Sequence, residues 1–337
     1  MSISLKDIAK ELNISTTTVS WVLSGQGEQK RISESTCKKI LQYAEKNSYH
    51  PNLLARGLNT GITGTIGLIL PSISDSFYSQ VAKSIELEAE NYGYTLMICS
   101  SESEIEREDR MIQMFKAKHV DGIIIAPTKY SQTQIELLMK ESYPFVLFDR
   151  YFDTLDTNYI LINNEECSHD LTQSLINDGC KKIAILLTNP YLKIMGMRCN
   201  GYKKALEENN LVFDKRLYGT VEFSHLNVQV SAMLDRIFTE VPDVDGFFFA
   251  THVMAMDTFV YMAERNIDMR RFGYACIHEV NSFRLIVPNI KFAKMPVEEI
   301  GKNAVRIIYN NIMGKRKKLT LPVESLVINC EMCNNKI

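Results

Sequence analysis

LKDIAKELNISTTTVSWVL, residues Leu5 to Leu23, holds two short runs of helical periodicity separated by one polar break. In the first, Leu5, Ile8, Ala9 and Leu12 recur at the spacing that places them on one helix face. Asn13 interrupts the run, Ile14 plugs the turn, and Ser15 is a residue type that caps a following helix through its side-chain oxygen. The second run, Thr16 to Leu23, is expected to bury Val19, Val22 and Leu23 while leaving Thr16, Thr17 and Trp21 outward. Two helices joined this tightly form a helix-turn-helix. A third helix fits Ser33 to Asn47, opening on Ser33 and Glu34 and burying Ile40, Leu41 and Ala44. From these residues alone the module is either a DNA reader or a packing unit.

Charge leans toward the first reading. The chain of 337 residues carries a net charge of −2, but residues 1–60 hold eight Lys/Arg against five Asp/Glu, or +3, so the remainder sums to −5. A mildly basic head on an acidic body suits a protein whose head meets phosphate. Hydrophobic residues at 45% and charged residues at 23% are those of a globular chain, which argues against disorder and against a membrane protein. Met1 to Leu12 is polar where an export signal would be apolar, so a cytoplasmic location is expected. The cysteines at 37, 99, 167, 180, 199, 276, 330 and 333 are scattered, as free thiols are. Cys330 and Cys333 make one C-x-x-C without the second ligand pair that a zinc site needs.

LKDIAKELNISTTTVSWVLSG, followed by RISESTCKKILQYAEKNSYHPNLLARGL, closely resembles the DNA-binding head and hinge of the LacI family of bacterial regulators. The resemblance implies that the second helix enters the major groove of double-stranded operator DNA, with Thr16, Thr17 and Trp21 facing base edges. It also implies that Ser4, Ser15, Thr18, Ser20, Ser33, Thr36 and Tyr49 contact the phosphate backbone, which anchors the head without reading sequence. Lys30 and Arg31 are added electrostatic candidates, although the loop Gly25 to Arg31 is longer than the common pattern. Many family members carry Arg where this chain has Trp21. An indole offers one donor and a large apolar face, suited to a thymine methyl or a sugar edge; the alternative is that Trp21 packs on a neighbouring helix. Residues 52–58 are too few for a stable isolated helix. By resemblance they fold as a hinge on DNA, with Asn52, Ala55 and Leu58 as contacts, Leu58 as a minor-groove wedge and Arg56 as a phosphate partner.

From Thr65 onward, TIGLIL, YTLMIC, DGIIIA, FVLFD, YILI, KKIAILL, GFFFA and RFGYAC alternate with amphipathic stretches. That order predicts an α/β body with two doubly wound parallel sheets, and ligands in such folds bind at the carboxyl ends of the strands, between lobes. PSISDSFYSQVAKSIELEAENYGY, VDGIIIAP, FDR, MRCNGYKKAL and MPVEEIGKNAVRII resemble the same family, whose body is of the periplasmic-binding-protein type. The expected division is therefore a helix-turn-helix domain at 1–50, a hinge at 51–63 and an effector-binding and dimerisation domain at 64–337. Its first lobe takes 64–160 and 292–320, and its second 161–291 and 321–337, with crossovers near 160, 292 and 321.

Carried over residue by residue, Phe77, Asp149, Arg150, Arg198 and Phe223 match cleft positions that contact a small effector, usually a sugar or a sugar derivative. A guanidinium fork at Arg198 suits vicinal hydroxyls, a carboxylate or a phosphate; the alternative for it is a salt bridge to Asp149 or another carboxylate. Two acidic family segments read here as Thr251-His252 and Cys276-Ile277-His278-Glu279. His252 and His278 thus replace acceptors for polyol hydroxyls, which suggests an anionic effector. Competing readings are histidines that satisfy local hydrogen bonds, a cleft that has lost sugar sensing, and a zinc site from His252, His278 and Glu279. No motif calls for a metal or cofactor. G-x-S-x-G, a Walker loop and H-E-x-x-H are missing, which argues against an enzyme, and a transport binding protein would not carry the helix-turn-helix. The reading is a homodimeric transcription regulator, a repressor by the family's commoner habit. The basic run Lys315 to Lys318 reads as a solvated helix end.

Overall fold

The computed structural model describes residues 3–49, 61–189, 192–222 and 226–333, and the chain forms two compact units, Met1–Gly64 and Thr65–Ile337. In the first, α1 (Leu5–Leu12), α2 (Thr16–Leu23) and α3 (Glu34–Lys46) follow the expected boundaries, with Ser33 and Asn47 standing as the caps of α3. Local chemistry fixes each end. The Asp7 amide donates to Ser4 Oγ (3.3 Å) while the Asp7 carboxylate accepts the Ser4 amide (2.9 Å), a capping box that satisfies two orphan donors. Asn13 takes a left-handed φ of 52°, and the Ile14 amide donates back to the Ala9 carbonyl at 2.9 Å. Ser15 and Ser33 accept the Thr18 and Thr36 amides. Ile8, Val19 and Ile40 are fully buried where the three helices meet. Leu41, expected inside, is 50% exposed, and Leu23 is only partly buried. Ile40 and Ala44 share a face at i, i+4, and Leu41 lies about 100° round the helix from Ile40.

The second unit is α/β. One sheet runs β11-β5-β4-β3-β1-β2 and the other β12-β10-β9-β8-β6-β7. The first comprises β1 (Thr65–Leu70), β2 (Thr95–Ser100), β3 (Gly122–Ile125), β4 (Phe145–Phe148), β5 (Tyr159–Ile162) and β11 (Ser325–Ile328); the second comprises β6 (Ile183–Thr188), β7 (Tyr218–Val221), β8 (Gly246–Phe249), β9 (Gly273–Ile277), β10 (Lys291–Lys294) and β12 (Glu331–Cys333). Pairing is parallel except for β12, which runs antiparallel along β10. Central strands such as GIII and GFFF are buried throughout, as strands covered by helices on both faces must be. Among the described residues no helix is long and apolar enough to cross a membrane.

The lobe crossings fall later than the sequence suggested. β5 still pairs with β4 in the first sheet, β10 pairs with β9 in the second, and β11 returns to β5 in the first. The chain therefore crosses after Ile162 and Lys294, within two residues of the expected 160 and 292, and after Ile328 rather than near 321. The boundary expected near 321 falls before β11 begins at Ser325, whereas pairing with β5 keeps that strand in the first sheet to Ile328. Lys315–Lys317 close the helix Val297–Lys317, and Lys318 caps it at φ 55°.

One glycine in each lobe permits a close helix crossing. A Cβ on Gly301 would lie 2.1 Å from Ser84 Oγ and 2.9 Å from the Ser84 carbonyl carbon, and one on Gly201 would lie 2.0 Å from the Glu165 carbonyl oxygen. Gly301→Ala must push the helices Ser76–Asn91 and Val297–Lys317 apart, which should cost about 1–3 kcal/mol of stability. Urea unfolding of the variant should show a lowered midpoint; one equal to that of the wild type would mean the crossing is slack.

Candidate functional site

On the head, Thr16, Thr17, Ser20 and Trp21 are exposed along α2. Trp21 is 36% exposed and is not among the residues of the head core. The Lys30 ammonium stands 5.2 Å over the indole, so two residues named separately from the sequence form one aromatic-cationic surface. Arg31 is exposed and held at a left-handed φ of 55°. The small hydroxyl residues are less free than their types suggest. The Ser4 hydroxyl donates to Asp7 (2.6 Å), and Ser15 and Ser33 share hydroxyl bonds with Thr18 and Thr36 (2.8 Å each). Tyr49 is half-buried against the head core. Asn52, Ala55, Arg56 and Leu58 lie outside the described residues, as does Phe223.

In the body, a cleft of about 750 Å³ opens at the carboxyl ends of strands from both sheets. Phe77, Asp149, Arg150, Arg198, His252 and His278 all line it. Asp75, Tyr78 and Thr251 line it too, none of them put forward from the sequence as an effector contact. Asp75 was findable as an N-cap residue ahead of an amphipathic run; its Oδ1 accepts the Phe77 amide at 2.8 Å.

Arg198 is 1% exposed and meets no carboxylate within ion-pair distance among the described residues. Its Nε donates to Asn164 Oδ1 (2.8 Å) and its Nη1 to the Ala250 carbonyl (2.5 Å), while Nη2 is buried without a partner. Asp149, the partner weighed for it, instead accepts the Tyr78 hydroxyl at 2.6 Å and faces Arg150 Nε at 3.7 Å. Burial pushes the Tyr78 phenol well above its ordinary value, so it stays a donor.

The two histidines form a pair, with Nδ1 to Nδ1 at 3.1 Å. His252 Nε2 lies 3.6 Å from Asp75 Oδ2, and His278 stacks on Phe77 at 4.9 Å between centroids. Burial holds both imidazoles below the ordinary histidine value, His278 far below, and His252 and Arg198 push His278 further down. Both are therefore neutral near pH 7. Asp75 favours the proton on His252 Nε2, which makes His252 Nδ1 the acceptor for His278 Nδ1–H. His278 Nε2, buried without a partner, is then a lone-pair acceptor. The cleft thus presents a cationic donor at Arg198 Nη2, a neutral acceptor at His278 Nε2 and the unpartnered Thr251 hydroxyl. Glu279 bonds Arg284 at 2.7 Å rather than the two histidines, and among the described residues no group of three His, Cys, Asp or Glu is placed to hold a metal ion.

Residues 4–52 match the family described as "Bacterial regulatory proteins, lacI family", and residues 63–334 match "Periplasmic binding proteins and sugar binding domain of LacI family". The ribose operon repressor of Halalkalibacterium halodurans is 27% identical over 317 residues, covering 93% of this chain and 91% of that protein. Catabolite control protein A of Priestia megaterium is 29% identical over 316 residues, covering 91% and 92%. These relatives are regulators and not enzymes. The lac repressor dimer bound to operator and an anti-inducer shares the fold with a TM-score of 0.83 at 18% identity, covering 100% of this chain and 99% of that one. The transcriptional regulator CelR in complex with cellobiose gives 0.72 at 19% identity, covering 98% of each chain.

The neutral buried His278 sets a pH dependence. The unfolded chain takes up this proton near pH 6.5 while the folded chain resists it, so the stability it contributes is complete above that pH and is lost as pH falls toward the folded value. Chemical denaturation at pH 7.5 and 5.5 should show the wild type losing up to about 1.4 kcal/mol per pH unit more than His278→Gln. Equal losses would mean that His278 does not resist protonation.

Proposed function

This chain belongs to the LacI family of bacterial regulatory proteins, and on that premise we propose that it is a cytoplasmic repressor switched by an anionic carbohydrate derivative. It is a DNA-binding transcription regulator whose effector is sugar-related. Its head reads a half-site, so two copies related by a two-fold axis grip a palindromic operator. Thr16, Thr17 and the Trp21–Lys30 surface face the bases, and residues 52–58 order on the duplex with Leu58 as the wedge. The effector acts through its different affinity for the DNA-competent and DNA-incompetent states of the body.

The observation that carries the anionic effector is the orphaned Arg198 Nη2 inside the cleft. A buried guanidinium with an open donor favours an oxyanion, because a charged acceptor supplies both the missing hydrogen bond and the missing countercharge. The neutral histidines repel such a ligand less than carboxylates would. His278 Nε2 then accepts a hydroxyl from the same ligand. The fructose 1-phosphate bound by a solved regulator of this fold is an example of the class.

Isothermal titration of the full chain with glucose, gluconate and glucose 6-phosphate should give the tightest binding with an anionic member, by tenfold or more, about 1.4 kcal/mol. Tight binding of glucose alone would sink the anionic effector. For the head, Leu58→Ala should weaken operator affinity in a gel-shift while the effector isotherm stays unchanged. Unaltered operator binding would remove Leu58 from the interface.

A further inference from the structure

Beside the effector cleft lies a second chamber of about 720 Å³. Arg150, Leu192 and Ile194 line both, so the two adjoin along one edge. Each volume by itself falls within the roughly 300–1,000 Å³ of a small-molecule site. Like the cleft, the second chamber is walled by both lobes. Thr128, Tyr151 and Phe152 come from the first, on the segments after β3 and β4, and Leu192 to Ile194 come from the second, after β6.

The two chambers differ in which groups are already met. In the cleft, Arg198 keeps a buried donor without a partner. In the second chamber the cations are provided for: Lys193 pairs with Asp153, Arg150 Nε faces Asp149 at 3.7 Å, and the exposed Lys129 stands 4.7 Å over the Tyr130 ring. What is left there is apolar wall and a neutral hydroxyl. Leu192 and Ile194 from one lobe meet the half-buried rings of Tyr151 and Phe152 from the other. Thr128 is 2% exposed; its amide donates to Glu108 (2.8 Å) and its carbonyl accepts from the Ser131 hydroxyl (3.0 Å), while its Oγ1 has no partner. Apolar and aromatic walls with few polar partners suit a sugar ring, which carries C–H bonds on its faces and hydroxyls at its edge. A second anion would find the countercharges taken.

We propose that the second chamber is a glycosyl subsite, so that the effector is an anionic disaccharide with its charged unit at Arg198 and its neutral unit beyond Arg150. The inference rests on the anionic reading of the cleft and extends it to the size of the ligand. The neutral unit lies where Asp153 of the first lobe and Lys193 of the second are ion-paired, and it touches both lobes. Its binding therefore favours the lobe arrangement in which that pair is made, which gives a two-unit ligand more hold on the body's conformation than a one-unit ligand has. A monosaccharide anion would complete Arg198 and leave the second chamber to water.

Isothermal titration of the full chain tests charge and size separately. Glucose against gluconate reads the charge, and gluconate against its glycosylated forms maltobionate, cellobionate and lactobionate reads the neutral unit. Expected is at least one of the three binding tighter than gluconate by about tenfold or more. Thr154→Trp puts a large side chain at an exposed position on the second chamber and should bring that ratio near one; Thr128→Val removes only the hydroxyl and should shrink it. If none of the three exceeds gluconate, or if the ratio survives both substitutions, the subsite is overturned while the anionic cleft stands. If maltose exceeds glucose but maltobionate does not exceed maltose, the subsite stands and the anionic reading falls.

Discussion

A buried guanidinium governs the body of this protein. Taking an arginine from water costs several kcal/mol unless its donors are met, and so the surroundings of Arg198 are arranged to meet them. Asn164 lies at the start of one helix and Ala250 just past the end of β8, and Arg198 joins both to its own helix, Lys193–Glu208. Gly201, one turn further along, removes the side chain that would hold this helix away from Glu165. The close approach and the buried cation are thus one device. Its field extends to another element, where His278 is driven further toward neutrality.

The head was legible almost to the residue because its ends are decided locally. Ser4, Asn13, Ser15 and Ser33 act on amides and carbonyls within a few positions of themselves, so their types announce the caps. Leu41 escaped because apolarity alone does not fix a face when Ile40 and Ala44 already define it. The body's class was legible from the alternation of apolar runs with amphipathic ones. The third lobe crossing was not, since β11 and β12 are short strands with mixed burial and carry no mark of which sheet they join.

The cleft was half legible. Six residues that the sequence brought forward do converge there, because they sit just past strand ends or on the helices that follow them. Their partners were not foreseeable. Nothing in the spacing of Asn164, Ala250 and Arg198 states that they meet, and the pairing of His252 with His278 depends on two loops from neighbouring strands, β8 and β9. Likewise, the two cysteines of the C-x-x-C part company: Cys330 packs against one core and β12 carries Cys333 into another. Short motifs report chain proximity; sheet topology decides spatial proximity.

The anionic ligand proposed for the cleft rests on which valences there are already met. Asp149 has the Tyr78 hydroxyl and the Arg150 guanidinium. Asp75 gives one oxygen to helix amides and turns the other to His252. Each carboxylate therefore has hydrogen-bonding partners inside the protein, and the histidines are neutral. Arg198 is matched for hydrogen bonds on two nitrogens but for charge on none. A neutral sugar would complete its donor set and leave a buried cation without a counterion. An oxyanion completes both, and the energy of doing so is largest where water is excluded, as it is at a residue 1% exposed. The same imbalance explains why acidic side chains at positions 252 and 278 would be a poor choice here. They would neutralise Arg198 from within and remove the reason for the cleft to prefer a charged ligand.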